Sequence, residues 1–291
     1  MTSSTLLRYA SVSVLLCLMS GFSPALRAQD GSDGPPKVLV IDREFIKPGK
    51  SGAVHERAEA AFVHALSAAN AQQHYFALTS LSGQSRALFF FGYPSFAAWE
   101  AANRAVEKNA TLSAALDRAF VTDGDLLSET GSSVWVRRDD LSQNTGNLRG
   151  VRYLEIRQFV IRPGRSQAWE ELVKLVMAGY KKGVPEANWV TFEEQYGTGG
   201  HGFLVITRLK SMADADHMME SDEGFVKAMG EDGMRRLAEL EASCIESDQN
   251  NLFQINPRMS YPPPSWIQAE PDFWKPAVTV AAKKAEGPAA P

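Results

Sequence analysis

The chain has 291 residues, of which 44% are hydrophobic, so it is long enough for one large or two modest domains with buried cores. Its 30 Lys and Arg against 34 Asp and Glu give a formal net charge of -4, and the two signs are interleaved along the chain. This composition argues against a disordered or fibrous protein, and no basic stripe indicates nucleic-acid binding.

The first 28 residues have the pattern of a secretory signal peptide. Arg8 precedes an apolar run from Val12 to Met19, and Ala28 is a small residue suited to cleavage. The run is shorter than the roughly 20 residues of a membrane-spanning helix, and no later segment is long enough. We therefore expect an exported protein, periplasmic or secreted, with no stable membrane span in its mature form.

Cysteine usage is sparse. Cys17 follows Leu16, where a lipid-modified cysteine usually follows a small residue, so a lipoprotein is disfavoured. After cleavage only Cys244 remains, which excludes an intramolecular disulfide and a zinc site built on cysteines.

The rest of the chain contains an internal repeat. Phe-Ile-Lys-Pro-Gly-Lys-Ser at 45–51 is echoed by Val-Ile-Arg-Pro-Gly-Arg-Ser at 160–166, an offset of 115 positions, and two later matches lie at offsets of 116 and 118. Short loop insertions produce such a slowly growing offset. The pattern predicts two units, 37–142 and 151–260, joined by a linker at 143–150.

Each unit shows the same order of predicted elements. A β-branched strand opens the first unit at Val38, and a Pro-Gly turn then leads to a helix capped by Ser51. Two strands joined by a hairpin, a second helical region and a closing strand follow, the closing strands being predicted at 134–137 and 252–255. The apolar face of the first helix is predicted to consist of Val54, Ala58, Ala61, Phe62 and Ala65.

The order β-α-β-β-α-β predicts an α+β fold in which a four-stranded antiparallel sheet carries its helices on one face. The strand 87–93 is apolar on both faces, with Phe89 and Phe91 on one and Leu88 and Phe90 on the other. Since the helices cover only one face, the sheet of the second unit is expected to cover the other. The fold class is therefore two tandem ferredoxin-like units that form an intramolecular α+β barrel.

The C-terminal region divides in two. Residues 261–276 carry three consecutive prolines together with Trp266, Phe273 and Trp274, so we expect them to dock on the barrel as an extended strap. Residues 277–291 lack aromatic side chains and are predicted to be disordered.

The strand-Pro-Gly-[Lys/Arg]-helix opening at Pro48 and Pro163, with the βαββαβ order, resembles the dimeric α+β barrel proteins. These include antibiotic-biosynthesis-type monooxygenases, NIPSNAP-like proteins and haem-handling chlorite dismutase relatives. The resemblance implies that one chain forms the barrel that two subunits usually build, and hence a monomer. It also implies an oxidoreductase, with haem as the candidate cofactor; the residues themselves predict no cofactor.

Histidine is the first residue type to consider for a haem ligand or general base. None of His55, His64, His74, His201 and His217 recurs in the other unit, and the spacings H-x-x-x-H and H-E-x-x-H are absent, so no metal site is predicted. His74 and His217 are the first candidates for a functional histidine.

Three further residues receive structural roles. Glu56 and Glu171 occur in both units and are interpreted as favourable charges near helix N-termini. Cys244 corresponds to Leu126 in the first unit and is predicted to be a packed thiol.

A small-molecule pocket is the remaining candidate site. Arg43 and its counterpart Gln158 are polar residues on otherwise apolar strand faces, so each must find a partner or line a cavity. The aromatic residues that could wall such a pocket are Tyr75, Phe89, Phe91, Trp99, Trp169, Trp189 and Phe203. The leading hypothesis is an exported barrel that binds a small apolar or aromatic molecule. The alternatives are an oxidoreductase, either a cofactor-independent monooxygenase or a haem enzyme, a partner-binding role, and aromatic residues that belong only to the core.

Overall fold

The computed structural model describes residues 34–197 and 201–275. The predicted signal peptide, its cleavage site, the C-terminal tail and the tip of the second hairpin lie outside these residues. No helix in the described part of the chain combines the length and apolarity needed to cross a membrane.

The first unit contains four strands and three helices in the predicted order. They are β1 (Val38–Ile46), α1 (Ala53–Ala68), β2 (Tyr75–Ser80), β3 (Arg86–Tyr93), α2 (Phe96–Glu107), α3 (Ala110–Gly124) and β4 (Leu127–Gln143).

The second unit repeats this order with one long second helix, which has non-helical torsion angles at Gly230 (φ 65°, ψ 175°). Its elements are β5 (Tyr153–Ile161), α4 (Ser166–Gly183), β6 (Trp189–Tyr196), β7 (His201–Leu209), α5 (Met212–Cys244) and β8 (Ile245–Tyr261). Two short helices follow, α6 (Pro264–Ala269) and α7 (Pro271–Trp274).

The eight strands form a closed antiparallel barrel. The first unit contributes β4-β1-β3-β2 and the second contributes β8-β5-β7-β6, and the two sheets join through the β2–β8 and β4–β6 pairs. At one junction Leu78 pairs with Ile255, and at the other Val136 pairs with Glu193. The predicted fold class is thus confirmed, and the barrel is formed within one chain.

Both faces of strand β3 are apolar because each face packs in a different core. Leu88 and Phe90 point into the barrel, where they join a core shared by both units, whereas Ala87 and Phe89 pack beneath the helices of the first unit. Trp135 and Phe253 are among the largest buried side chains of the barrel interior. Inner and outer faces are therefore both covered, as the sequence pattern required.

The first helix differs from its prediction. Its N-cap is Gly52, whose φ of 68° favours glycine, and not Ser51. The buried residues of α1 are His55, Glu59, Phe62 and Leu66, whereas Val54 is 37% exposed and Ala61 is also exposed. The predicted apolar face was therefore partly wrong: it included Val54 and Ala61, which are exposed, and left out the ionisable residues His55 and Glu59, which are buried.

Three other elements are longer or more helical than predicted. The closing strands β4 and β8 each span 17 residues, because they also pair with the neighbouring unit. The C-terminal strap docks on the barrel, with Trp274 buried in the interior core, but it forms α6 and α7 and is not extended. Pro264 and Pro271 begin these helices, where the missing amide proton is not needed.

Glu270 attaches this strap to the start of the second unit. Its carboxylate accepts hydrogen bonds from the backbone nitrogen of Gly150 at 2.9 Å and from Nη2 of Arg152 at 2.7 Å. The guanidinium of Arg152 also lies 3.8 Å from the ring centroid of Phe273. The strap therefore closes one end of the barrel through both apolar and ionic contacts.

Candidate functional site

A cavity of about 610 Å³ lies between the helices and the outer face of the sheet in the first unit. We call it the first-unit cavity. Its walls include five aromatic rings, those of Phe62, Tyr75, Phe89, Phe91 and Phe120. A cavity of this size and composition is typical of small-molecule sites.

Four ionisable side chains meet at one side of this cavity, and we call them the His55 cluster. Nε2 of His55 lies 3.0 Å from Oε2 of Glu44, 3.4 Å from Oδ1 of Asp123 and 3.7 Å from Oε1 of Glu59. All four side chains are nearly or fully buried. They are the residues in the described part of the chain that lie close enough together to share a metal ion.

Local structure explains how the cluster forms. His55 and Glu59 are one helical turn apart on the buried face of α1. Glu44 lies on β1, where side chains alternate between the two faces of the sheet, and it is on the helix side while Arg43 faces the barrel interior. Asp123 comes from the last turn of α3, which packs against α1.

The carboxyl groups of the cluster have shifted pKa values. Burial, and then the negative charges of Glu44 and Asp123, raise the pKa of Glu59 to about 10. Burial and the charge of Glu44 also raise the pKa of Asp123 to about 6, against the opposing effect of His55. Each shift reports the cost of placing several negative charges in one buried site.

Several buried polar atoms of this region have no hydrogen-bond partner outside the cluster. Among them are both carboxylate oxygens of Asp123 and Oε1 of Glu59. The hydroxyl of Tyr75, on the cavity wall, is buried and also has no hydrogen-bond partner. Burial, Glu59 and Glu44 raise the pKa of Tyr75 well above its ordinary value, so this hydroxyl stays protonated.

The predicted pocket residues do not form one site. Tyr75, Phe89 and Phe91 line the first-unit cavity, whereas Trp99 lies on α2 and packs against a neighbouring apolar cluster of the sheet. Arg43 and Gln158 meet across the barrel interior, where they line a smaller cavity of about 60 Å³; Arg43 also borders the first-unit cavity.

The remaining three predicted residues lie in the second unit. Trp169 and Trp189 line a cavity of about 350 Å³ between its helices and sheet, which we call the second-unit cavity. Phe203 packs in the adjacent core, with its ring centroid 4.9 Å from that of Trp169. Cys244 is fully buried in this core, which confirms its prediction as a packed thiol.

The two histidines favoured from the sequence lie elsewhere. His74 stacks on Tyr261 near one end of the barrel, and the side chain of His217 is 65% exposed on α5. His55 was not predicted to be a functional residue. Its burial could have been predicted from helical spacing, because His55, Glu59, Phe62 and Leu66 follow the i, i+4, i+7, i+11 pattern of one buried helical face.

None of the five histidines, all of which lie in the described part of the chain, is placed to ligate a haem iron. An axial histidine needs a free ring nitrogen directed into a large cavity. Three carboxylates within 3.7 Å of Nε2 of His55 leave no room for a porphyrin, His74 lines a cavity of only about 110 Å³, and His64 and His201 are exposed. His217 borders the second-unit cavity only from its exposed rim, so haem is not assigned to either unit.

Comparisons with known proteins reach only the fold. No protein-family model matches the chain, and no curated protein matches it. An anthrone oxidase-like protein is 13% identical, with 75% of this chain and 91% of that chain covered and a TM-score of 0.47. A mutant chlorite dismutase from Candidatus Nitrospira defluvii is 10% identical, with coverages of 82% and 97% and a TM-score of 0.45.

A dye-decolorizing protein from V. cholerae is 9% identical, with 77% of this chain and 95% of that chain covered and a TM-score of 0.46. At such values the residues of the site itself have to indicate the function.

Proposed function

We propose that this protein binds a small, largely apolar or aromatic molecule in the first-unit cavity. The observation that carries the proposal is the cavity itself, in which aromatic walls meet a few convergent polar groups. Tyr75 contributes its ring to the wall, whereas the partly exposed carboxylate of Asp42 can accept a hydrogen bond from a hydroxyl on the ligand.

The charged residues that line the cavity restrict the charge of the ligand it can bind. Asp42, Glu44, Glu59 and Asp123 border it, and Arg43 is the one cation among its described lining residues. Burial raises the pKa of Asp42, as it does for Glu59 and Asp123, which shows that negative charge is already costly there. We therefore propose a neutral or cationic ligand and not an anion.

Isothermal titration with three naphthalene probes tests this proposal on the full chain. We expect 2-naphthol to bind more tightly than naphthalene, and naphthalene-2-sulfonate to bind least. Thr130→Phe should abolish the binding of 2-naphthol, because Thr130 is exposed, lies opposite Glu44 on the helix side of the sheet and lines the cavity, so the added ring can enter it.

The matched control is Val176→Phe, which adds a ring to the second-unit cavity. It should leave the 2-naphthol affinity unchanged. Binding that Thr130→Phe does not affect, or no binding by any probe, would contradict the proposal.

An oxidoreductase is the second candidate function. The closed barrel supports it because the dimeric α+β barrel proteins that the sequence resembles include monooxygenases. Oxygen uptake with substituted quinols, measured for the wild type and for Thr130→Phe, tests it. Uptake that depends on an open first-unit cavity supports this candidate, and equal uptake by both proteins counts against it.

We also propose that the chain acts as an exported monomer. The support for export is the sequence pattern of residues 1–28, and the support for a monomer is that both sheets of the barrel come from one chain. Cell fractionation and light scattering on the purified protein test the two statements separately.

A further inference from the structure

We propose that the His55 cluster is a binding site for one divalent first-row transition-metal ion, of the class of Mn²⁺, Fe²⁺ or Zn²⁺. Its ligands are His55, Glu44, Glu59 and Asp123. The inference goes beyond small-molecule binding and does not depend on it.

Distances within the cluster are those of a shared coordination sphere. Ligand atoms bound to one ion at about 2.0–2.2 Å lie about 3.0–3.5 Å apart when adjacent and about 4.4 Å apart when opposite. The nitrogen of His55 lies 3.0, 3.4 and 3.7 Å from the three carboxylates, and all four ligand atoms fall within 4.8 Å of one another. Side-chain shifts of a few tenths of an ångström would close the set around an ion.

Two sets of unsatisfied atoms point to a missing positive charge or ligand. Asp123 is 1% exposed and Glu59 is 3% exposed, yet neither Asp123 oxygen nor Oε1 of Glu59 has a hydrogen-bond partner outside the cluster. Independently, the buried hydroxyl of Tyr75 has no partner, and burial together with the charges of Glu59 and Glu44 raises its pKa, so it lies near the cluster. A water or ligand oxygen bound to the ion would accept a hydrogen bond from it.

The ligand chemistry determines the class of ion. Carboxylate oxygens suit Mg²⁺, Ca²⁺ and Mn²⁺, whereas imidazole favours Zn²⁺, Fe²⁺ and its neighbours in the first transition row. A set of one nitrogen with three carboxylates therefore favours Mn²⁺, Fe²⁺ or Zn²⁺ over Mg²⁺ and Ca²⁺. Three carboxylates and a divalent ion leave one net negative charge, a smaller imbalance than three buried anions alone.

The second unit supplies an internal comparison. The positions that correspond to Glu44, His55, Glu59 and Asp123 at offsets of 115 and 118 are Phe159, Glu170, Lys174 and Glu241. Phenylalanine cannot ligate an ion, and Lys174 places a cation where the first unit has a carboxylate. The site is therefore confined to the first unit, although both units share one fold.

Protons are the alternative occupants of the cluster. Glu59 in its protonated form can donate to Asp123, which would compensate one charge without a metal. A titration of the chelator-stripped full chain distinguishes the two. Binding of Mn²⁺ is followed by the loss of the paramagnetic resonance signal of the free ion, and binding of Zn²⁺ by calorimetry, with Mg²⁺ and Ca²⁺ as comparison ions.

We expect one equivalent of Mn²⁺ or Zn²⁺ to bind and to raise the thermal midpoint. Glu59→Gln and Asp123→Asn should each weaken binding by more than about tenfold, since losing even an outer-sphere partner of a metal site costs about 10–100-fold. The control is Glu241→Gln, the second-unit counterpart of Asp123→Asn, which should bind as the wild type does.

Three results would overturn the proposal. They are no binding by the stripped wild type, equal binding by the wild type and Asp123→Asn, and binding of Mg²⁺ or Ca²⁺ as tight as that of Zn²⁺. The metal-free thermal midpoint of each variant shows whether it has folded. Binding of 2-naphthol by stripped protein separates the two proposals, because the first-unit cavity can accept a ligand even where the metal proposal fails.

Discussion

Nε2 of His55 lies 3.0 Å from Oε2 of Glu44, and this buried contact joins helix α1 to strand β1 beside the first-unit cavity. Two further carboxylates approach the same imidazole, so the cluster holds more potential negative charge than one histidine can balance. Such a cluster lowers the stability of the metal-free fold.

Asp123→Asn should therefore stabilise the metal-free protein. Removing one buried, unpaired carboxylate relieves repulsion, and we expect the free energy of unfolding to rise by about 1–3 kcal/mol at pH 8. Urea unfolding after chelation measures it. Glu241→Gln should change stability by less than about 0.5 kcal/mol, as is usual away from such features. A clear loss of stability in Asp123→Asn would show that its carboxylate is well compensated without a metal.

The strap should dock less tightly in acid. Burial alone would raise the pKa of Glu270, but the Gly150 amide and the positive charges of Arg152 and Arg149 outweigh it and hold that pKa below its ordinary value. A lowered carboxyl pKa stabilises the fold above the ordinary value near 4.5, and the contribution is lost as the pH falls through the lowered value.

Glu270→Gln should lose about 1–2 kcal/mol of stability at pH 7 and less at pH 3, where the wild-type carboxyl is itself protonated. Unfolding followed by tryptophan fluorescence measures the stability, and Trp266 and Trp274 of the strap are two of the six tryptophans that contribute to the signal. Asp272→Asn is the matched control, since Asp272 is exposed in the same segment. An equal effect of Glu270→Gln at both pH values would contradict this explanation.

Gly183→Ala should destabilise the second unit. A Cβ at Gly183 would overlap the backbone oxygen of Gly224, because α4 and α5 cross in direct contact at this point. Overpacking of this kind costs about 1–3 kcal/mol. Gly131→Ala is the control, since a Cβ there meets no atom within 4 Å. Thermal unfolding of both variants checks the difference, and equal midpoints would show that the helices separate freely.

Much of the fold could be predicted from the sequence because duplication repeats each signal. The paired Pro-Gly turns at Pro48 and Pro163 gave the strand-to-helix connections, and the apolar residues on both faces of β3 indicated a second covering layer. The length of β4 was missed because its outer residues are polar and pair with β6, a contact that no local pattern records.

The His55 cluster could be predicted only in part. His55 and Glu59 share a helical face with Phe62 and Leu66, so their burial was readable once the phase of α1 was set by its larger apolar residues. Glu44 and Asp123 come from other elements, and only tertiary packing of β1 and α3 against α1 brings them within reach. The spacing rules for metal motifs describe ligands on one element and do not detect such a set.

A crystal structure of the full chain soaked with 2-naphthol tests the central claim most directly. We predict the naphthalene ring in the first-unit cavity, in contact with Phe89 and Phe91, and its hydroxyl oxygen within hydrogen-bond distance of the Asp42 carboxylate. A first-unit cavity without ligand at saturating probe, or density confined to the second-unit cavity, would contradict the claim that the first unit carries the binding site.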